Sequence, residues 1–234
     1  MTITIPSYKR SEKLTTIDFL GEAFSKEEVI IGTQTEEDYE LYSQKFGDVA
    51  TVIFKAGFSC GDNRNNLLEY CEEHNIKETL QLDDDIRHVR TMYDQKLKSF
   101  EFRQLMEKCF SVARENGVIL FGSYATDNKL SMKRTASRNI IVGMLSGILD
   151  TSIRYDRKFK IKHDYELSLR MMQQGRKVVR FNSFSVVASH KSSGGCLEAW
   201  KRKDYKVEAE WLAEAYPNLV KLHPNRIGEI KFIG

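Results

Sequence analysis

The sequence predicts an α/β domain whose first half is a parallel sheet with crossover helices. Three observations predict it. Short β-branched runs alternate with helical-period segments three times over about the first 80 residues. Each of the four runs ends in a polar stretch, where ligands gather in open parallel sheets: "PSYKR" from Pro6, "GTQTEED" from Gly32, "AGFSCGDNRN" from Ala56 and "DDD" from Asp83. Prolines fall only at 6, 217 and 224 and no Pro/Gly/Ser linker interrupts the chain, so the 234 residues read as one continuous domain.

In order, "TITI" (2–5) is a strand stopped by Pro6. "RSEKLTTIDFLGEAF" spaces Leu14, Ile17, Leu20 and Phe24 as a helix. "EVIIG" (28–32) is a second strand, and "EEDYELYSQKF" (36–46) a helix whose acidic first turn suits the helix dipole. "ATVIFKAG" (50–57) is a third strand, followed by a helix over 61–75 with Asp62 as its expected N-cap. "ETLQLD" (78–83) is the fourth strand. The second half is less regular. A helix is expected over 100–117 with a glycine stop, strands over 118–125 and 139–145, and a helix over 162–175. "KVVRFNSFSVVASH" (177–190) reads as one or two antiparallel strands, "KSSGG" (191–195) as a loop, and 197–217 as a helix anchored by Trp200 and Trp211. "RIGEIKF" closes the chain as an edge strand.

Hydrophobic residues make up 41% and aromatics 11%, enough for a packed core, which excludes a disordered chain. Net charge is +3, but it is unevenly placed. From Lys129 to Lys203 there are 17 Lys/Arg against 5 Asp/Glu, and the remainder carries −9. Either these are solvated helix faces, or one face meets a polyanion. Cys60, Cys71, Cys109 and Cys196 are scattered with no CxxC pair, as expected of reduced thiols in a cytoplasmic protein. No signal peptide is expected, and the most apolar stretch, "NIIVGMLSGIL", is too short to span a bilayer, so no membrane role is expected.

The candidate chemistry starts at Asp83-Asp84-Asp85. Alternate residues of an extended strand point the same way, so Asp83 and Asp85 are expected to converge. Converging carboxylates repel unless they share a proton or hold a cation, and Mg²⁺ or Mn²⁺ takes one or two carboxylates with water and phosphate. The plainer reading is an exposed acidic turn. In "KHDYE", Asp164 is either a helix N-cap or a general base for an acceptor hydroxyl. In "SHKSSGG", His190 could ligate the same metal, and a glycine-rich loop lets backbone N–H groups approach phosphate.

This order of motifs resembles a GT-A fold glycosyltransferase over roughly residues 2–195. The resemblance implies that Pro6, Ser7, Tyr8 and Arg10, with Thr33 on the second strand, form the nucleotide-sugar site of a UDP-sugar. It matches Arg64 of "DNRN" to the basic residue opening the third helix. It makes Asp83 and Asp85 the metal-binding DxD pair, Asp84 a contact to the nucleotide ribose or a basic neighbour, and His190 the late metal ligand. Asp164 matches the catalytic base of inverting members, although His163 stands where that family usually has an acid. Lys191, Gly194 and Gly195 would face phosphate or acceptor. The implied division is a donor half (1–86), an acceptor half (87–195) and a helical tail (196–234).

"YDRKFKIKHDYELSLRMMQQGRKVVRFNSFSVVASHKSSGG" (155–195) is similar more narrowly to the TET/JBP-associated glycosyltransferases of phages and kinetoplastids. That likeness implies a DNA acceptor carrying a hydroxymethylated pyrimidine, a setting in a phage-infected or bacterial cell, and a reason for the basic block, since phosphate neutralisation dominates DNA affinity. Phe181, Phe184 or Tyr165 would stack on an extruded base. Two alternatives remain: a glycosyltransferase for glycans or lipids, and a non-catalytic DNA-binding protein.

Overall fold

The computed structural model describes residues 1–189 and 201–234. Its centre is a ten-stranded mixed sheet. The first four long strands are β1 (Thr2–Pro6), β2 (Val29–Thr33), β3 (Thr51–Phe54) and β4 (Thr79–Leu82). They lie parallel in the order β3-β2-β1-β4, as the alternation predicts. Between β1 and β2, helix α1 is only Thr15–Leu20, because 3-10 turns flank it and Gly21 takes φ +49. Helix α2 (Glu36–Phe46) links β2 to β3, and α3 (Cys60–Glu73) links β3 to β4.

Strands β5 (Ile86–Thr91) and β6 (Lys96–Leu97) form the far edge of the sheet. Helix α4 (Ser99–Glu115) follows, stopped by Gly117 at φ +64. Then come β7 (Val118–Tyr124), the two-residue β8 (Ala136–Ser137) and β9 (Leu145–Ile148). Helix α5 (His163–Gln173) leads to β10 (Lys177–Ala188). Beyond β4 the order is β9-β7-β10-β5-β6. Strand β9 runs antiparallel to both β4 and β7, so β7 runs with β1 and β4, and β10 pairs parallel with β7. The carboxyl ends of β1, β2, β3, β4, β7 and β10 therefore share one edge. Helix α6 (Asp204–Ala215) and the hairpin β11 (Val220–Leu222) with β12 (Ile230–Phe232) close the described chain.

Three expectations change. Residues 139–144 are not strand: only Leu145–Ile148 pairs, and the preceding segment is tied to α5, with Ser168 Oγ accepting from the Ile141 N–H at 3.0 Å. Of the one or two antiparallel strands expected over 177–190, Lys177–Ala188 forms one, antiparallel to β5 and β8 but parallel to β7. The N-cap of α3 is Ser59, not Asp62. Ser59 Oγ accepts the Asp62 N–H at 3.1 Å, while Asp62 reaches back to the Phe58 N–H. The closing strand β12 is an edge strand, but of a separate two-stranded sheet.

The main core lies between α1, α2, α4 and the sheet, around Ile3, Ile31, Leu82, Phe102, Phe121 and Phe184. A second cluster sits under α5, and a third joins α5 to α6 through Phe159, Leu169, Ala209 and Leu212. Among the described residues no helix is long and apolar enough to cross a membrane.

Candidate donor and catalytic site

The shared strand edge gathers the predicted carboxylates and two arginines. The "DDD" turn is pinned from below by Thr16. Its hydroxyl donates to the Asp83 carbonyl at 2.6 Å and accepts the Ile86 N–H at 2.9 Å, while its N–H donates to the Asp84 carbonyl. The Asp83 N–H donates to the Met144 carbonyl, and the Ser189 N–H to that of Asp85. The backbone that presents the three acids is thus fixed on both sides before any side chain is considered.

Two arginines share the three acids. Asp84 turns into the protein, where Ser7 Oγ donates to it at 2.6 Å and the Arg10 guanidinium at 2.7 Å. Ser7 also shares a 2.6 Å bond with the buried Tyr42 hydroxyl, which accepts the Arg10 N–H. Asp85 lies 3.5 Å from the same Arg10 guanidinium. Asp83 receives a short bond, 2.5 Å, from Arg64. Burial pushes Asp83 up to about 7 against the pull of Arg64, with Asp85 and Asp84 adding to the rise. One third of its side chain (33%) still faces solvent, and water there tempers that rise. Burial likewise raises Asp84 despite Arg10 and Ser7.

Arg64 is the hub of the second half of the site and is only 2% exposed. Besides Asp83 it donates to Gln81 Oε1 at 3.3 Å and to the Gly143 carbonyl at 2.9 Å. Burial opposes its charge, but Cys60, Asp83, Tyr155 and Asp164 together raise its pKa. Gln81 is held in turn by the Tyr155 hydroxyl at 2.8 Å. The Gly143 peptide bridges to the other carboxylate: its N–H donates to Asp164 Oδ2 at 2.6 Å. A side chain at Gly143 would press on Asp164 Oδ2 at 3.2 Å and on Arg64 at 3.4 Å, so glycine permits this close approach.

Asp164 is not the N-cap of α5. Lys162 occupies that position, and Asp164 sits in the first turn, where Oδ1 accepts the Tyr165 N–H at 2.9 Å. The entry to α5 is organised from outside: buried Glu208 on α6 accepts the N–H groups of Lys160, Ile161 and Lys162 at 2.6, 3.0 and 2.7 Å. Next to Asp164 lies the buried His163. Burial alone would lower its pKa, but Cys60 and Asp164 reverse the sign and raise it.

The residues expected on the nucleotide side lie at the ends of β1 and β2. Pro6 pairs with Gly32, and Tyr8 is half-buried with the Lys9 ammonium 5.2 Å from its ring centre. Thr33 is buried and donates its hydroxyl to the Ile53 carbonyl, which ties it to β3. His190, Lys191, Gly194 and Gly195, with Trp200, lie outside the described residues.

Sequence reasoning missed four supports. Asn63 donates to the Ser7 and Gly32 carbonyls, joining α3 to the ends of β1 and β2, and a side chain at Gly32 would collide with it at 2.4 Å. Asn65 exchanges hydrogen bonds with the Tyr155 backbone. Gln81 and Glu208 were unmarked. The density of amides in "DNRNN" was the only available signal.

The donor set at Asp83 and Asp85 fits a hard divalent cation: two carboxylates whose mutual repulsion contributes to the raised Asp83 proton affinity. Among the described residues no three His, Cys, Asp or Glu side chains assemble into a metal shell. Two carboxylates completed by phosphate and water are what Mg²⁺ tolerates.

The sequence model of the TET-associated glycosyltransferases matches residues 1–195. No curated protein matches the chain in sequence. A solved nucleotide-diphospho-sugar transferase, so named, from Desulfovibrio desulfuricans G20 superposes with TM-score 0.50 at 11% identity, covering 87% of this chain and 96% of its own. A cytidylyltransferase from Leptospira borgpetersenii serovar Hardjo-bovis gives TM-score 0.44 at 12% identity, over 95% and 98% of the two chains. At these identities the first likeness speaks for the fold, and no argument rests on the second.

Proposed function

The chain belongs to the TET-associated glycosyltransferase family and is a glycosyltransferase; from that premise we propose that it moves a sugar from a UDP-sugar to a hydroxyl on a modified pyrimidine in DNA. One observation carries the site assignment. Two hydrogen-bonded groups, Arg10 with Asp84 and Asp85, and Arg64 with Asp83 and, through the Gly143 peptide, Asp164, meet along the consecutive residues 83–85 at the carboxyl edge of the parallel strands.

In this reading the loop after β1 holds the nucleotide and Arg10 keeps Asp84 and Asp85 oriented. Asp83 and Asp85 hold Mg²⁺ or Mn²⁺, with His190 as a candidate third ligand. The bound ion would supply Lewis-acid stabilisation of the departing diphosphate. Arg64 adds a fixed positive charge beside the same carboxylates. It gains catalytic weight because it is already desolvated and needs no reorganisation. Asp164 takes the acceptor proton. A carboxylate has about four lone-pair positions, and the Gly143 and Tyr165 N–H groups occupy two of them. Those two bonds fix the carboxylate and leave it able to accept a further proton. A base on the acceptor side implies displacement with inversion.

The test is mass spectrometry of nucleosides after incubation with hydroxymethylcytosine and hydroxymethyluracil DNA, a panel of sugar nucleotides and Mn²⁺. A hexose- or pentose-sized mass gain on one base is expected. No gain on any DNA, with transfer to a glycan or lipid acceptor instead, overturns the DNA acceptor and keeps the transferase.

A further inference from the structure

The outer edge of the sheet carries a line of cations that starts at the site and leaves it. Strand β5 begins one residue after Asp85. There Arg87 donates to Ser189 Oγ at 2.5 Å, and the Ser189 N–H donates to the Asp85 carbonyl. Further along, Arg90 stands in register with Lys96 of β6. Arg90 then reaches Asp94 at 3.7 Å and Asp127 at 3.8 Å, and Lys129 reaches Asp94 at 2.7 Å. These acids tie β5 to the segment 125–138, which follows β7. The Lys133 N–H donates to the Asn182 carbonyl, and buried Met132 anchors the turn from beneath. Exposed Arg134 sits 5.4 Å from the ring centre of Tyr93, which is itself largely exposed (65%).

Six cations, Arg87, Arg90, Lys96, Lys129, Lys133 and Arg134, thus follow one edge, with Asp94 and Asp127 as the interspersed acids. In their midst His88 Nε2 is shut from solvent and has no hydrogen-bond partner among the described residues. Burial first, then Lys96 and Arg90, lower its proton affinity, against Asp127. Charge of one sign is gathered here against its own repulsion, and the built connections hold it on a strand rather than on loose side chains. Half of these cations, Arg87, Arg90 and Lys96, lie outside the basic block visible in the sequence.

Six residues of β5 span about 20 Å at roughly 3.3 Å each. Each nucleotide of one DNA strand advances about 3.4 Å along the helix axis, so a track of that length runs beside about six phosphates. We propose that the β5–β6 edge and segment 125–138 form a track for the phosphate backbone of the acceptor DNA, leading it away from the carboxylate site. This rests on the DNA-acceptor reading. It adds where the flanking strand runs, with Arg134 and Tyr93 closing the far end as a stacked cation–aromatic pair. The track supplies register and affinity, not base choice.

The experiment measures binding of a short duplex by fluorescence anisotropy between about 50 and 200 mM salt. It needs no donor sugar. Three proteins are compared: the unaltered chain, Lys133→Glu with Arg134→Glu, and a control carrying Lys108→Glu with Lys177→Glu. The control has the same charge change, placed on α4 and at the opposite end of β10. Thermal unfolding confirms that each is folded, and Lys96→Glu alone replaces the double variant should that one unfold. The track variant is expected to lose at least about tenfold in affinity and to flatten the log–log salt slope by about two, with the control close to the unaltered chain. Binding by the track variant equal to the unaltered chain overturns the track and leaves the DNA reading standing. Equal weakening of both variants also overturns it, since net charge alone would then account for binding. No binding of DNA by the unaltered chain, or preference for anionic phospholipid vesicles over DNA, overturns the DNA reading and the track with it.

Discussion

Three adjacent carboxylates at a strand end are tolerated because two arginines divide them. Arg10 takes Asp84 and Asp85, and Arg64 takes Asp83. Arg64 cannot be removed cheaply, because it is buried and serves Gln81, Asp83 and the Gly143 carbonyl at once. Arg64→Met is expected to cost about 3–5 kcal/mol in urea unfolding, since it leaves buried groups uncompensated. Arg64→Lys keeps charge but loses the fork and is expected to cost about 1–3 kcal/mol. On the catalytic side, Asp85→Asn should reduce transfer at saturating Mn²⁺ by roughly a hundredfold or more, the scale of losing a transition-state contact. Near-normal turnover would remove Asp85 from the metal role. Asp164→Asn should abolish transfer while thermal shift with UDP-sugar is unchanged, and normal transfer would remove Asp164 as the base.

At the scale of elements, α4 is clasped to the turn before β2 by Glu28. Arg103 donates to both oxygens at 2.8 Å, and the Ser25 N–H adds a third bond in a capping box. The Arg103 guanidinium, against the cost of burial, lowers Glu28 to about 2. A depressed carboxylate stabilises the fold above its unfolded pKa, about 4.3, and loses that contribution as pH falls through the folded value. Glu28→Gln should therefore cost of order 2 kcal/mol at pH 7 and flatten the decline of stability between about pH 4.5 and 2. Unchanged acid dependence would show that the clasp contributes little. Elements also explain why residues 139–144 escaped the strand they resemble. Their apolar composition suits a core position, but the loop places the Gly143 peptide between Arg64 and Asp164, and the backbone groups of Ile141 and Gly143 bond to side chains of α5 and α3 instead of a neighbour strand.

At the scale of the whole molecule, the helix beyond the family-matched span is part of the site's scaffold. Glu208 on α6 accepts three consecutive N–H groups ahead of α5, Trp211 packs edge-on against Phe159, and the two helices share a core. Glu208→Ala would remove the acceptor of three consecutive N–H groups. It should lower stability by roughly 2–4 kcal/mol and loosen Asp164, read as faster hydrogen exchange at the start of α5. Exchange confined to α6 would show instead that the helix merely covers the core. By itself the sequence determined the parallel half and its order of motifs, because β-branched runs, helical periods and polar strand ends are local patterns that burial on both faces enforces. It marked Asp83, Asp84, Asp85, Arg10, Arg64 and Asp164 through their place at those strand ends. Only the tertiary structure decided who neutralises whom. Residues as far apart as Arg10 and Asp84, Gly143 and Asp164, or Glu208 and Lys162 meet through sheet order and helix packing, and a buried charge is settled by whichever partner the fold brings within hydrogen-bond reach.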